Sequence, residues 1–280
     1  MPWPFDREFM QLALLAGLVV GACAPLIGTF LVQRRMSLLG DGLGHLAFAG
    51  VTGGLLTGLA PLWSALVVAG LGALGIEWLR ARGRAGGDLA LALFFYSGIA
   101  AGIVMAGKAG ALNAGLLGYL TGAPLTASRG DVVTIAAIGA LVLVTLAFTR
   151  RALFAVVLDE ESARVAGLPV DVLNSVLALL AALTVVAAMR VVGVLLVAAL
   201  MVLPVASAQL LASSFRATLR ASSLIGMASV VVGLVASRAW DLAPGGTIVL
   251  VAAGAFVIVS MATGRRPNVL AVARAAGSDG

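Results

Sequence analysis

The chain of 280 residues is 61% hydrophobic and only 11% charged, with a mean hydropathy of +1.12. No soluble domain tolerates that composition, so the sequence reads as a polytopic membrane protein with room for roughly eight to ten spans of about 20 residues and no sizeable extramembrane domain. Its net charge of +6 lies in short arginine clusters between apolar runs, which speaks against a nucleic-acid-binding stripe and for topogenic charge.

In chain order, the first apolar run, 9–32, ends at Gln33-Arg34-Arg35. It holds the only cysteine, Cys23, which has no disulfide partner and reads as a small core residue. The stretch 20–23 faintly resembles a lipoprotein cleavage box, but the leader lacks a positive n-region, so an uncleaved first helix is expected. A second run, 36–59, carries Asp41 and the only histidine, His45. Pro61 separates it from a third, 62–79, which ends in Arg80, Arg82 and Arg84. A fourth, 89–106, leads into a mixed stretch, 107–130, whose Gly, Thr, Pro124 and Ser residues predict a loop or a partly re-entrant segment.

The fifth run, 132–149, is expected to end at Arg150-Arg151, before a polar island that reaches Asp171. The sixth and seventh, 172–189 and 191–211, are divided only by Arg190 and Gly193, which predicts a tight turn. The eighth covers 219–239, Asp241 to Gly246 supplies a turn, and the ninth, 247–263, ends at Gly264-Arg265-Arg266-Pro267. The predicted fold is therefore all-α, a transmembrane helix bundle of about nine spans. One transmembrane domain is expected to fill 1–264, and a short exposed tail follows at 265–280.

Nine spans put the termini on opposite sides. With a cytoplasmic C-terminus, the inside holds Arg34, Arg35, Arg80, Arg82, Arg84, Arg150, Arg151, Arg164, Arg216, Arg220, Arg265, Arg266 and Arg274, most of the 18 basic residues. That asymmetry satisfies the positive-inside rule and places the N-terminus outside. Trp3, Trp63 and Trp240 then fall near the outer interface and Trp78 near the inner one. Small residues four apart, such as Gly17/Gly21, Gly40/Gly44, Gly50/Gly54 and Gly98/Gly102, suit close helix packing.

Two nucleotide-binding patterns mislead. The GxGxxG at 70–75 lies inside an apolar run with no preceding strand, so helix packing explains it better. The GxxxxGK at 102–108 is followed by Ala109 where a magnesium-binding Ser or Thr belongs. There is no HExxH or GxSxG, and with one histidine an intramembrane metalloprotease is not supported.

Two islands carry chemistry. Asp41 and His45 are four apart on one helix face, so a carboxylate oxygen and an imidazole nitrogen can converge on one small cation. A charge at helix centre costs about 2.5–3.5 kcal/mol on insertion scales, which argues for use rather than a buried structural pair. Measured from Arg35 at about 1.5 Å per residue, Asp41 lies roughly 9 Å and His45 roughly 15 Å along the run. One chain offers too few ligands for a closed site, so two copies about a two-fold axis would form a transient N/O site for zinc or manganese. The second island is 158–169, where Asp159 can cap a short helix with Glu160 and Glu161 in its first turn and Arg164 near its end, and Gly167-Leu168-Pro169 terminates it. Its two readings are a polar connector and a docking helix for a cytoplasmic motor protein.

At these islands the sequence resembles the integral-membrane permease family of ATP-binding-cassette importers for zinc, manganese and iron. The matching segments are RMSLLGDGLGH at 35–45, DEESARVAGLP at 159–169 and VGVLLVAALMVLP at 192–204, with Ala208 following. The resemblance implies a homodimeric pore in the bacterial cell membrane, two separate cytoplasmic ATPase subunits and an extracytoplasmic metal-binding protein, with no cofactor held by this chain. It also implies that Asp41 and His45 line the metal path, and that 159–167 is the coupling helix, with Asp159, Glu160, Glu161, Ala163, Arg164 and Gly167 as its matching residues. Overall likeness favours zinc over manganese, and Gly44 departs from the Ser or Ala that relatives often carry. The alternative from another class is a proton-coupled secondary metal transporter with Asp41 and His45 as relay, and a third reading is a scaffold subunit without a pore.

Overall fold

Arginine, proline and glycine punctuate the apolar runs, and the computed structural model places helix boundaries at most of those marks. It describes residues 6–83, 87–108, 118–120, 122, 128–194 and 196–264. Among the described residues ten helices of at least six residues follow in order: α1 Glu8–Gln33, α2 Leu39–Thr57, α3 Pro61–Ala81, α4 Gly87–Lys108, α5 Arg129–Leu158, α6 Glu160–Val165, α7 Val170–Ala188, α8 Val197–Leu211, α9 Phe215–Trp240 and α10 Pro244–Thr263. Among the described residues there is no strand.

Local chemistry accounts for the ends. Pro61 and Pro244 open α3 and α10, where a missing N–H costs nothing. Ser128 and Asp131 form a reciprocal capping box on α5, and the Ser214 hydroxyl accepts the Ala217 amide at the start of α9. Gly58 and Gly264 take left-handed backbone at φ 73° and 57° and close α2 and α10.

Among the described residues, seven helices are long and apolar enough to cross a membrane: α1, α3, α4, α5, α7, α9 and α10. Each of the nine expected runs forms a helix, but two fall short of that standard. α2 has 19 residues, many of them glycine, with Asp41 and His45 among them. α8 has only 15. The shortness of α8 corrects the expectation of one span over 191–211, because turns replace the helix over 189–194 and at Leu196. Gly193 sits there at φ 90°, and Val191, Val192 and Val194 are each 0–1% exposed. This is a buried turn built from valines, with the Val194 amide donating to the Tyr119 carbonyl at 3.0 Å. The fifth run is corrected as well. α5 continues through Arg150 and Arg151 to Leu158, since two arginines can end an apolar stretch without interrupting a helix that favours them. The stretch 107–130 and the tail 265–280 fall largely or wholly outside the described residues.

The bundle has α1 and α7 at its centre, each two-thirds buried over its apolar window, whereas α5 and α10 are 22% buried and peripheral. α2 lies between α3 and α4 on one side and α7 and α8 on the other, while α9 and α10 pack beside α1 and α8. Glycines permit these approaches. A Cβ at Gly50 would stand 2.6 Å from the Ala65 Cα, and one at Gly98 would stand 3.0 Å from the Leu46 amide nitrogen. Gly72 and Gly75, from the misleading GxGxxG, face the side chains of Leu46 and Phe94, so packing explains them. Cys23 is 3% exposed, as a core residue would be. Trp63, Trp78 and Trp240 are 46–71% exposed at helix ends.

The tightest approach joins α1 to α8, where a Cβ on Gly28 would land on the Met201 carbonyl oxygen. Neither backbone can yield without moving a whole helix. Gly28→Ala is therefore expected to destabilise the protein by about 3 kcal/mol, the upper end for overpacking, measured as a fall in Tm in detergent. Gly254→Ala, whose Cβ would meet nothing within 4 Å, should leave Tm in place.

Candidate metal path and coupling segment

The turn from α1 into α2 sets the first site. After Gln33 the backbone doubles back through Arg35 at φ 57°, with the Met36 amide donating to the Leu31 carbonyl at 2.9 Å. α2 then starts at Leu39 rather than at the start of the apolar run, so Asp41 falls in its first turn. A carboxylate is stabilised there by the partial positive charge of the helix end. Relative to the helix start, Asp41 is raised by about 3 Å and His45 by about 9 Å.

From Leu39 to Thr52, every residue of α2 is buried except Asp41 and His45. Their side chains are 32% and 15% exposed, and His45 Nε2 lies 3.9 Å from Asp41 Oδ1. That spacing is too long for a hydrogen bond and leaves both groups able to turn toward a shared ion. The His45 ring stands edge-on to Phe95 of α4, with centroids 4.6 Å apart, and the close approach of Gly98 fixes the backbone behind it. On the other flank, Gly44 faces the Val194 carbonyl oxygen, 3.1 Å from where a Cβ would sit. The buried valine turn thus presses on α2 one residue before His45, and a glycine at 44 suits that contact. Among the described residues, no three His, Cys, Asp or Glu side chains gather where they could hold a metal.

The second island forms as its residues suggest. Asp159 Oδ1 accepts the amides of Glu161 and Ser162, both at 3.0 Å, and the Ser162 hydroxyl donates to Oδ2 at 2.6 Å. These donors hold the Asp159 carboxyl below its usual range, the Ser162 hydroxyl most of all. The cap is therefore complete at neutral pH and is lost only in acid, as pH falls through that lowered value. Gly167 at φ 81° ends α6, and Pro169 leads into α7.

The named residues of the island have different surroundings. Ala163 is 4% exposed and faces inward. Arg164 pairs with Asp171 at 2.8 Å, which holds its guanidinium above its usual value. Glu160 pairs with Arg34 at 3.2 Å. Glu161 is exposed, and so are the apolar side chains of Leu158 at 75% and Val165 at 86%. Sequence reading missed the link to Arg34, whose side chain is 5% exposed, because 126 residues separate it from Glu160. It also missed Glu77, 5% exposed, which accepts from Arg80 at 3.1 Å while Arg80 reaches the Met36 sulfur at 3.2 Å. The signal for both was present as arginines at the ends of runs, but nothing local names their partners.

A helical bundle with apolar spans and an accessible Asp/His pair on an otherwise buried stretch of α2 defines a multi-pass membrane protein with a polar site on an interior helix. The sequence profile described as "ABC 3 transport family" matches residues 6–263, and the chain belongs to that family, as a metal-ion ABC permease subunit. It is similar to the "Manganese transport system membrane protein MntC" of Halalkalibacterium halodurans, at 32% identity over 90% of this chain and 86% of that one. It is also similar to the "High-affinity zinc uptake system membrane protein ZnuB" of Haemophilus influenzae, at 29% identity over 90% and 96%. Among solved structures, "PsaBC from Streptococcus pneumoniae in complex with Fab" superposes with a TM-score of 0.81 at 31% identity, covering 91% of this chain and 92% of that one.

Proposed function

We propose that this chain is the permease subunit of an ATP-driven importer that moves a divalent transition-metal ion, zinc first and manganese second, across the bacterial inner membrane. One observation carries the reading: Asp41 and His45 are the two accessible positions on a buried stretch of α2, close enough to share an ion. Imidazole with carboxylate suits both metals, and the affinity order of divalent ions places zinc above manganese at such a site. Relatives named for each metal are compatible with either.

A face that holds half a site calls for a second copy, so a homodimer with paired Asp41 and His45 forms the path. Incomplete coordination suits transport, since an ion must leave as well as enter. The segment 159–167 couples to two cytoplasmic ATPase subunits. Leu158, Glu161 and Val165 face outward to meet them, while Glu160, Ala163 and Arg164 hold the segment to the bundle, with Asp159 and Gly167 shaping its ends. The arginine-rich end is cytoplasmic, the N-terminus is outside, and an extracytoplasmic protein delivers the metal. The chain itself has no catalytic site and no resident cofactor in this reading.

Uptake of radioactive zinc into cells is expected to stop on ATP depletion and to be competed by manganese less strongly than by unlabelled zinc. Uptake that survives ATP depletion but collapses with the proton gradient would establish the relay alternative, and manganese as the stronger competitor would reverse the metal order.

A further inference from the structure

We propose that the cleft between α5 and α9 is a seat for one anionic phospholipid. Both helices pack on α1, and between them a cleft of about 520 Å³ opens, floored by Leu26 and Phe30 of α1. That volume falls in the range of ligand sites. Its walls include Leu143 and Leu224, 42% and 63% exposed, so the cleft is apolar where it faces lipid. Phe30, on that floor, packs against Phe215, 5.1 Å between centroids, which in turn meets Phe154 at 4.6 Å. Arg150, Arg216 and Arg220 line the same cleft.

The arginines are what make the cleft more than a packing defect. All three are exposed, and no carboxylate lines the cleft. Elsewhere Arg34, Arg80, Arg129, Arg164 and Arg190 each meet a carboxylate. Among the described residues these three meet none, as is also true of Arg35, Arg82, Arg151 and Arg238, but only these three gather in one apolar cleft. The N-terminus of α9, capped by Ser214, adds partial positive charge at the same end. Arg129 and Arg150 are separated along α5 by about 32 Å of helix, close to the roughly 30 Å hydrocarbon thickness, so Arg150 lies at headgroup depth. A basic cluster at that depth beneath an apolar cleft matches a phosphate headgroup with its acyl chain above. The inference depends on membrane placement and not on the metal reading.

The test is lipid retention by the purified full-length protein, delipidated in detergent, titrated with dioleoyl phosphatidylglycerol or dioleoyl phosphatidylcholine and read by native mass spectrometry. Wild type should bind the anionic lipid at least about tenfold more tightly, as three arginines near a headgroup imply. The triple variant R150Q/R216Q/R220Q should lose that preference, and R151Q, which alters a neighbouring arginine outside the cleft, should keep it. Leu143→Trp, which fills the cleft and spares the arginines, should weaken binding of both lipids. Equal binding of the two lipids by wild type would overturn the proposal, as would the same loss in R151Q as in the triple variant. Displacement of bound phosphatidylglycerol by excess inorganic phosphate would make the cleft a site for a free anion and would also overturn it.

Discussion

Metal uptake is expected to fall by roughly a hundredfold or more when Asp41 is replaced by Asn or His45 by Ala. Loss of residues that merely orient a metal ligand costs about 10–100-fold in affinity, and loss of a ligand itself stands at or beyond the top of that range. Asp41→Asn preserves shape and removes the charge. His45→Ala removes the nitrogen donor and leaves an open edge beside Phe95. Both positions are partly accessible, so neither change creates a sealed cavity, and Tm should move little. Uptake in proteoliposomes, paired with Tm and ATP hydrolysis, separates loss of the path from loss of the fold. Wild-type uptake in both variants would sink the assignment of the pair, and an equal collapse in Tm would reduce it to a structural contact.

The second large effect is expected at Arg34. Its guanidinium is 5% exposed and meets Glu160, which is 42% exposed. Removing one partner of a fully buried pair costs roughly 3–5 kcal/mol. The half-open carboxylate brings the cost of Arg34→Met below that range. Transport should suffer more than stability, because the pair ties α6 to the chain entering α2. The expected pattern is residual ATP hydrolysis with uptake lost. A cycle with Glu160→Gln checks the contact: if the pair matters as described, the double variant loses less Tm than the two single losses added together. Strict additivity would show that the two residues act separately.

How much of this could be read from residues depends on range. The Asp41/His45 pair was legible because two ionisable groups four apart in an apolar helix have few cheap explanations. The Asp159 cap was legible because capping is local, confined to three residues. The valine turn was not. Val191, Val192 and Val194 are as apolar as any span, and hydropathy alone cannot separate a helix from a buried turn whose amides find partners elsewhere, as that of Val194 does on Tyr119. Arg190 and Gly193 mark the break, but a charge and a glycine predict a tight turn and not one that extends through the flanking valines. The arginine pair in α5 misled for the opposite reason, since charge marks where lipid ends and not where a helix must.

That overrun of α5 has a consequence of its own. Past Arg150 the helix continues for eight residues to Leu158, about 12 Å, whereas the headgroup layer adds only some 5–7 Å on each side of the hydrocarbon. Leu158 and Val165 lie beyond Arg150 on a segment that the Glu160–Arg34 pair ties back to the end of α1. In the proposed reading a partner docking there meets a surface already held in place, so little ordering cost is left for the moment of binding.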